Sequence, residues 1–431
     1  MEMTMSKVEP KTNLVPLAII GALFFIFGFV TWQNGALVPY LQMVCQLSET
    51  EALLVASAFY FAYTAMALPS AIVLEKLGYK NGMAIGLLGL VVGFLIYIPA
   101  AMSQEFVIFL VAQFVIGSGL TLLQTAANPY VVKVGPVESA AVRIMFMGLL
   151  NKGAGFLAPI AFTAVVLGDF AGVSAKSIAA MAEPEKSEMI TALSNGLINP
   201  YIGMAIVFVV LAGLLKMSPL PELSSDDDEV EAVGDAEGAE GRTSILQFPS
   251  LILGAVTIFV YVGAEVSIGS FLVSFFAEPN IAGLEESEAA KYIAYYWGGA
   301  MVGRFIGAAV MQKIEAGKAL FFVSVVAVLL VLVTILTTGN IAMIAILLVG
   351  LCNSIMFPTI FSLAINGLGK HTSQGSGILC LAIVGGAIVP LIQGVLADSI
   401  GIQLSFFLPI LCYLFIAYYG LVGSKVKSIA K

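Results

Sequence analysis

Long apolar runs separated by short polar punctuation fill this chain from Leu14 onward. The first run contains "GALFFIFGFVTWQNGALVPYLQMV", which is oil for about ten letters and then turns polar at Trp32, Gln33 and Asn34, with Gly35 behind them. A hydrocarbon core about 30 Å thick takes roughly 20 mainly apolar residues per helical span. Runs of that kind recur at 14–42, 51–74, 83–102, 106–132, 140–167 and 200–217, and again at 250–276, 289–312, 318–337, 339–368, 374–398 and 402–423. The pattern predicts an all-α membrane protein with twelve transmembrane helices in two pseudo-symmetric six-helix bundles. Its parts are 1–217, an acidic cytoplasmic linker at 218–249, and 250–431. Two connections exceed a turn: Gly168 to Asn199, and the linker.

Internal similarity supports two halves. "IFGFVTWQNGAL" (Ile26 to Leu37) lies over "IFVYVGAEVSIG" (Ile258 to Gly269), which sets Gln33 on Glu265. Span four ends "GLTLLQTAANP" and span ten reads "GLCNSIMFP", both opening Gly-Leu and reaching a proline. Parallel repeats of this kind mark transporters whose substrate site lies near the bilayer midplane.

Composition agrees, at 60% hydrophobic and 11% charged, where a soluble domain is nearer half and a quarter. The first run is too long for a signal-peptide core, and no small-residue cleavage site ends it. The alternating segments of an outer-membrane barrel, about ten residues each, are not seen. The net charge of −8 comes from Pro221 to Arg242, which holds nine acidic residues and one basic one; that stretch reads as a solvated connector. With the N-terminus in the cytoplasm, only Lys176, Lys186 and Lys291 fall in outer loops, as the positive-inside rule asks. This predicts a multi-pass membrane protein with both termini cytoplasmic. The four cysteines read as buried free thiols and not as a disulfide framework.

Ionised groups inside hydrocarbon are costly, about 2.5–3.5 kcal/mol each on insertion scales, and mark function by default. Glu265 is the carboxylate deep in a span, and Lys152 and Arg304 are the comparable cations. Glu265 has Gly263, Ser267 and Ser270 around it. It suits proton exchange, or a hard oxygen ligand for Na⁺ beside Ser267; alternatively it forms a static pair with Lys152. Lys152, next to Asn151, lines a wet cavity or pairs. Arg304 lies nearer the inner face and suits a gate or cap. Amides recur at comparable depth: Gln33 and Asn34 in span one, Gln124 and Asn128 in span four, Asn151 in span five, Asn353 in span ten. Their paired donors and acceptors suit sugar hydroxyls, with Trp32 or Trp297 stacking on the sugar face; singly, each could be interhelical glue. Pro129, Pro358 and Pro390 interrupt spans and bend them.

No GxxxxGK[ST] motif, metal spacing or nucleophile context is found, so the expectation is no enzyme, no cofactor, no resident metal and no nucleic-acid partner. "SAIVLEKLGYKNG" resembles the loop between spans two and three of the major facilitator superfamily. The acid, base and glycine of that gating motif fall on Glu75, Lys76 and Gly78, while Ala71 and Tyr79 depart from it. "QTAANPYVVKVGP", "YVGAEVSIGSFL" and "NSIMFPTIFSLAINGLG" resemble the fucose:proton symporter family, within it the bacterial glucose/galactose and N-acetylglucosamine transporters. The likeness runs from about Leu14 to Gly423.

The resemblance implies the major facilitator fold and a secondary symporter of a bacterial inner membrane carrying a hexose with H⁺ or Na⁺ as co-transported ion; for oligomeric state a monomer is the default. It also implies a sugar-contacting role for Asn151. The family's carboxylates in spans one and four are replaced by Gly35 and Gln124, so proton coupling does not carry over at those positions. Glu265 stands where fucose symporters look amide-bearing, which suggests that the coupling carboxylate has moved to span seven. A proton-antiport exporter of drugs or metabolites, an uncoupled sugar facilitator and a sugar sensor are the alternatives.

Overall fold

The computed structural model describes residues 14–133, 140–167, 170, 173, 175–220, 247–311, 313–366, 368 and 372–425; most of the acidic linker lies outside them. Among the described residues the chain is helical, without strands. In lipid every backbone group must find its partner within the segment, which leaves helices as the default.

Twelve spans run back and forth. They are Leu14–Cys45, Glu49–Leu77, Tyr79–Ser103, Phe106–Lys133, Ala140–Phe162 with a π-helical turn Thr163–Leu167, and Ile198–Met217. Then follow Pro249–Ala277, Glu286–Val310, Ala316–Leu336, Gly339–Ile365, Gly377–Ile400 (within a helix beginning at Thr372) and Ile402–Lys425. Eleven are long and apolar enough to cross a membrane. The remaining helix is span eight, where Arg304, paired tyrosines and glycines hold hydropathy down. An even number of spans puts both described ends of the chain at the same face of the bundle.

Packing repeats with an offset of six. Span one packs on five as seven packs on eleven; two on four as eight on ten; three on four and six as nine on ten and twelve. Outward faces are apolar: Leu88, Val92 and Leu95 are exposed while Leu87, Leu90, Val91 and Phe94 on the same helix are buried. That is one lipid-facing stripe at helical spacing.

Spans one, ten and eleven are discontinuous. Span one turns at Gln33 between Leu14–Trp32 and Asn34–Cys45. Span ten breaks between Gly339–Asn353 and Met356–Ile365. Span eleven carries a 3₁₀ turn, Ala382–Val384. The connection after span five, expected as a loop, contains helices Ala175–Ala180 and Glu185–Gly196. They pack on the far ends of spans one and three, where the Tyr40 hydroxyl donates to the Leu193 carbonyl and Ser194 Oγ to the Ala101 carbonyl. Its alanine-rich and charged letters lack a span's apolar length, so the hydropathy pattern passes over it.

Candidate functional site

The halves meet at mid-membrane on an ion pair. Lys152 Nζ of span five stands 2.7 Å from Glu265 Oε1 of span seven, and both side chains are almost wholly buried. The Lys152–Glu265 pairing weighed from the sequence is present in this conformation. Two charges out of water need each other and further polar neighbours to stay charged.

Those neighbours are aromatic. Trp32 and Trp297, from opposite halves, pack ring on ring with centroids 3.8 Å apart and planes tilted by 37°. Lys152 Nζ lies 4.1 Å from the Trp32 ring and 4.7 Å from the Trp297 ring, within cation–π range. Trp32 Nε1 donates to Asn151 Oδ1 at 3.2 Å. Two glycines make this possible. A Cβ on Gly155 would press on the Trp32 ring at 2.8 Å, and a Cβ on Gly28 would run into the Asn151 carbonyl. Spans one and five touch backbone to backbone there, and Asn151 is held against Trp32.

A second polar cluster lies within the second half. Asn353 Nδ2 donates to Tyr296 Oη and Tyr413 Oη donates to Asn353 Oδ1, each at 2.8 Å. Tyr261 Oη donates to the Asn353 carbonyl at 3.1 Å. Tyr296 Oη also reaches the Glu265 carbonyl at 3.4 Å.

The predicted site residues therefore divide. Trp32, Asn151, Lys152, Glu265 and Trp297 come together. Asn353 belongs to the tyrosine cluster, bound on both sides of its amide. Asn34 is buried beside Gln113, whose Nε2 donates to Asn34 Oδ1 at 2.6 Å. That is interhelical glue within the first half. Gln33 is buried at the turn of span one. Gln124, part-buried, accepts from Tyr63 Oη at 3.2 Å. The side chain of Asn128 lies outside the described residues. Ser267 Oγ, Trp297 Nε1 and Asn34 Nδ2 are buried without a hydrogen-bond partner. Orphaned groups of this kind cost about 1–3 kcal/mol each until something polar meets them.

Among the gating residues, Glu75 and Lys76 are exposed at the terminus-bearing end of span two. Gly78 has φ +78° and makes the tight turn into span three, a conformation that favours glycine. Arg304 Nε and Nη2 both donate to the Ser354 carbonyl, at 3.2 and 3.1 Å, so Arg304 caps a helix break. Two residues were overlooked in the sequence. Gln113 belongs to no motif in the sequence, and its burial opposite Asn34 gives it a partner. Arg143, at the start of span five, is buried and donates Nε to the Val131 carbonyl at 2.7 Å, near the end of span four.

Away from the pair, the halves are zipped toward the far end. Ser57 Oγ donates to the Ala387 carbonyl at 2.7 Å. Gly394 lies against Leu53 and Thr50, and Thr50 donates through Oγ1 and its backbone N–H to Asp398 Oδ2. The second part of span one also packs on span seven.

Residues 17–383 match the profile of the Major Facilitator Superfamily. The chain is 48% identical over 409 residues to a glucose/galactose transporter of Brucella abortus, covering 95% of this chain and 94% of the relative. It is 29% identical over 421 residues to the L-fucose-proton symporter of Escherichia coli, covering 97% and 95%. The crystal structure of the transporter FucP in its outward conformation superposes with a TM-score of 0.72 at 28% identity, over 96% of this chain and 100% of that one. A bacterial homologue of the human lysosomal transporter Spinster, inward-facing and occupied, gives 0.72 at 12% identity, over 95% and 96%, a likeness of fold alone.

Proposed function

The chain belongs to the Major Facilitator Superfamily, and from that premise we propose that it imports a hexose, D-glucose or D-galactose, together with protons across a bacterial inner membrane. The two relatives described above, matched over nearly the whole length, are a glucose/galactose transporter and an L-fucose-proton symporter. The two halves, 1–217 and 250–431, rock about the mid-membrane site while the linker at 218–249 spans them, in a monomer with both termini cytoplasmic.

The observation that carries the reading is the Lys152–Glu265 contact, because it crosses the seam that alternating access must open. Glu265 holds Lys152 while it is ionised. A proton on Glu265 cancels that attraction and frees the ammonium, so the seam can part. Lys152 already fills the cation position at Glu265, 2.7 Å away. Sodium would have to displace it against like-charge repulsion, whereas a proton need not; this favours H⁺ over Na⁺. Moving one charge inward gains about 2.3 kcal/mol per 100 mV.

Sugar would enter between Trp32 and Trp297, which cover each other's faces in this conformation. Asn151 and the unpartnered Trp297 Nε1 would meet its hydroxyls there. Contacts close the seam at the far end, while on the terminus-bearing side Arg304 of span eight meets Gly148 of span five. Glu75, Lys76 and Gly78 lie at the mouth of that side.

Uptake of labelled D-glucose into proteoliposomes tests the proposal. An inside-alkaline pH gradient is expected to drive accumulation and a sodium gradient is not. Uptake indifferent to pH would remove proton coupling; accumulation driven by sodium would reassign the ion. Competition by D-galactose and N-acetylglucosamine would place the hexose. A proton-antiport exporter would instead show efflux.

A further inference from the structure

The break in span ten separates two pieces with different neighbours. Gly339–Asn353 packs on spans eight and nine, whereas Met356–Ile365 packs mainly on span seven, the helix that carries Glu265. A helix end leaves its last four carbonyls without intrahelical donors. Pro358 makes one of these losses permanent, since the residue four places after Ser354 has no N–H to give.

Side chains from neighbouring spans take two of the freed carbonyls. Arg304 of span eight binds the Ser354 carbonyl through two N–H groups, at 3.2 and 3.1 Å. Tyr261, one turn before Glu265, binds the Asn353 carbonyl. Gly303 lets span eight come this close, for a Cβ there would run into the Leu351 carbonyl. The guanidinium also crosses the seam. A Cβ on Gly148 of span five would collide with Arg304 Nη1. Arg304 lies within electrostatic reach of both Lys152 and Glu265.

We propose that Arg304 is the joint of the second half, a positioning residue that replaces the hydrogen bond Pro358 deletes. It keeps span ten in two rigid pieces and bears on span five through the space left by Gly148. A positive group at the C-terminal end of Gly339–Asn353 is also favoured by the helix dipole. Lysine keeps the charge but offers no planar fork to a single carbonyl. The joint goes beyond the transport reading and depends on it only for the uptake arm of its test.

The test compares the full-length parent with Arg304→Ala, Arg304→Lys and Arg304→Ala/Pro358→Ala. In Arg304→Ala, uptake of labelled D-glucose is expected to fall about tenfold or more while its Kd, followed by tryptophan fluorescence, stays within about threefold. Arg304→Lys is expected to fall between Arg304→Ala and the parent. The double variant regains a backbone N–H at position 358. Its melting midpoint is expected to return toward the parent's, with uptake still slow because span ten now runs through. Arg304→Ala uptake within about twofold of the parent would overturn the joint. A double variant that melts no better than Arg304→Ala would overturn it as well. A parent that moves no hexose overturns the transport reading instead, and the melting comparison then decides the joint alone.

Discussion

Lys152 of the first half and Glu265 of the second are bound to each other at 2.7 Å, away from water, with two tryptophan rings beside the ammonium. Removing one member of a buried pair strands the other, which costs about 3–5 kcal/mol, while replacing both by neutral groups is often close to neutral. Glu265→Gln and Lys152→Met are each expected to lower the thermal midpoint in detergent. Lys152→Met/Glu265→Gln is expected to recover most of the loss. All three should lose proton-driven accumulation, and the double variant should keep sugar exchange between equal pools. Glu265→Gln that melts like the parent would mean that the pair contributes nothing, and retained accumulation would end its role in coupling.

Trp32 and Trp297 are the two tryptophans of the chain, and they touch. Intrinsic tryptophan emission therefore reports the seam and little else. A hexose that parts the rings is expected to change that emission in a saturable way. Trp297→Phe loses the indole N–H and some ring face, expected to weaken D-glucose binding about tenfold by calorimetry. Saturable binding without any change in emission would place the sugar elsewhere.

The twelve spans were legible because lipid tolerates few sequence patterns, and each run of about 20 apolar letters has one structural outcome. The break in span ten was foreshadowed by Pro358, whose missing N–H acts locally. What the halves do to each other was not legible. The sequence offered the Lys152–Glu265 pair only as one of several roles for two charges 113 positions apart, and nothing in one dimension says that Trp32 covers Trp297. The amides looked alike as letters, yet Asn34 is spent on Gln113 and Asn353 on Tyr296 and Tyr413, while Asn151 alone of these stands at the seam beside Trp32. Depth could be read from the sequence; the facing direction depends on how neighbouring helices rotate. The two helices between spans five and six escaped notice because their stability comes from docking, not from hydropathy.

Gly28 and Gly213 make a matched comparison. A Cβ on Gly28 would overlap the Asn151 carbonyl, whereas Gly213 has open space around its Cα. Gly28→Ala is expected to push spans one and five apart, cost about 1–3 kcal/mol and weaken sugar binding through Asn151. Gly213→Ala is expected to melt and transport like the parent. Equal behaviour of the two variants would show that the close approach of spans one and five is not needed.

At the far end the carboxylate of Asp398, on span eleven, accepts both the hydroxyl and the backbone N–H of Thr50 in the first turn of span two. A second-half acid thus binds a helix N-terminus of the first half, where free N–H groups and the helix dipole favour negative charge. Span two keeps its own cap, because Ser48 and Glu51 satisfy each other's backbone N–H. Losing Asp398 should therefore loosen the seam without fraying the helix. A contact of this type is worth about 1 kcal/mol, roughly a fivefold change in the population open at this end. Leu53 is buried one turn deeper beside Gly394. In a Cys45→Ser background, Leu53→Cys should react several-fold faster with a membrane-impermeant maleimide when Asp398→Ala is added. The reagent is applied from the outside of intact cells, which also checks that this end faces outward. Labelling that does not change with Asp398→Ala would show that the far end is held shut by Ser57, Gly394 and the span-one contacts without this latch.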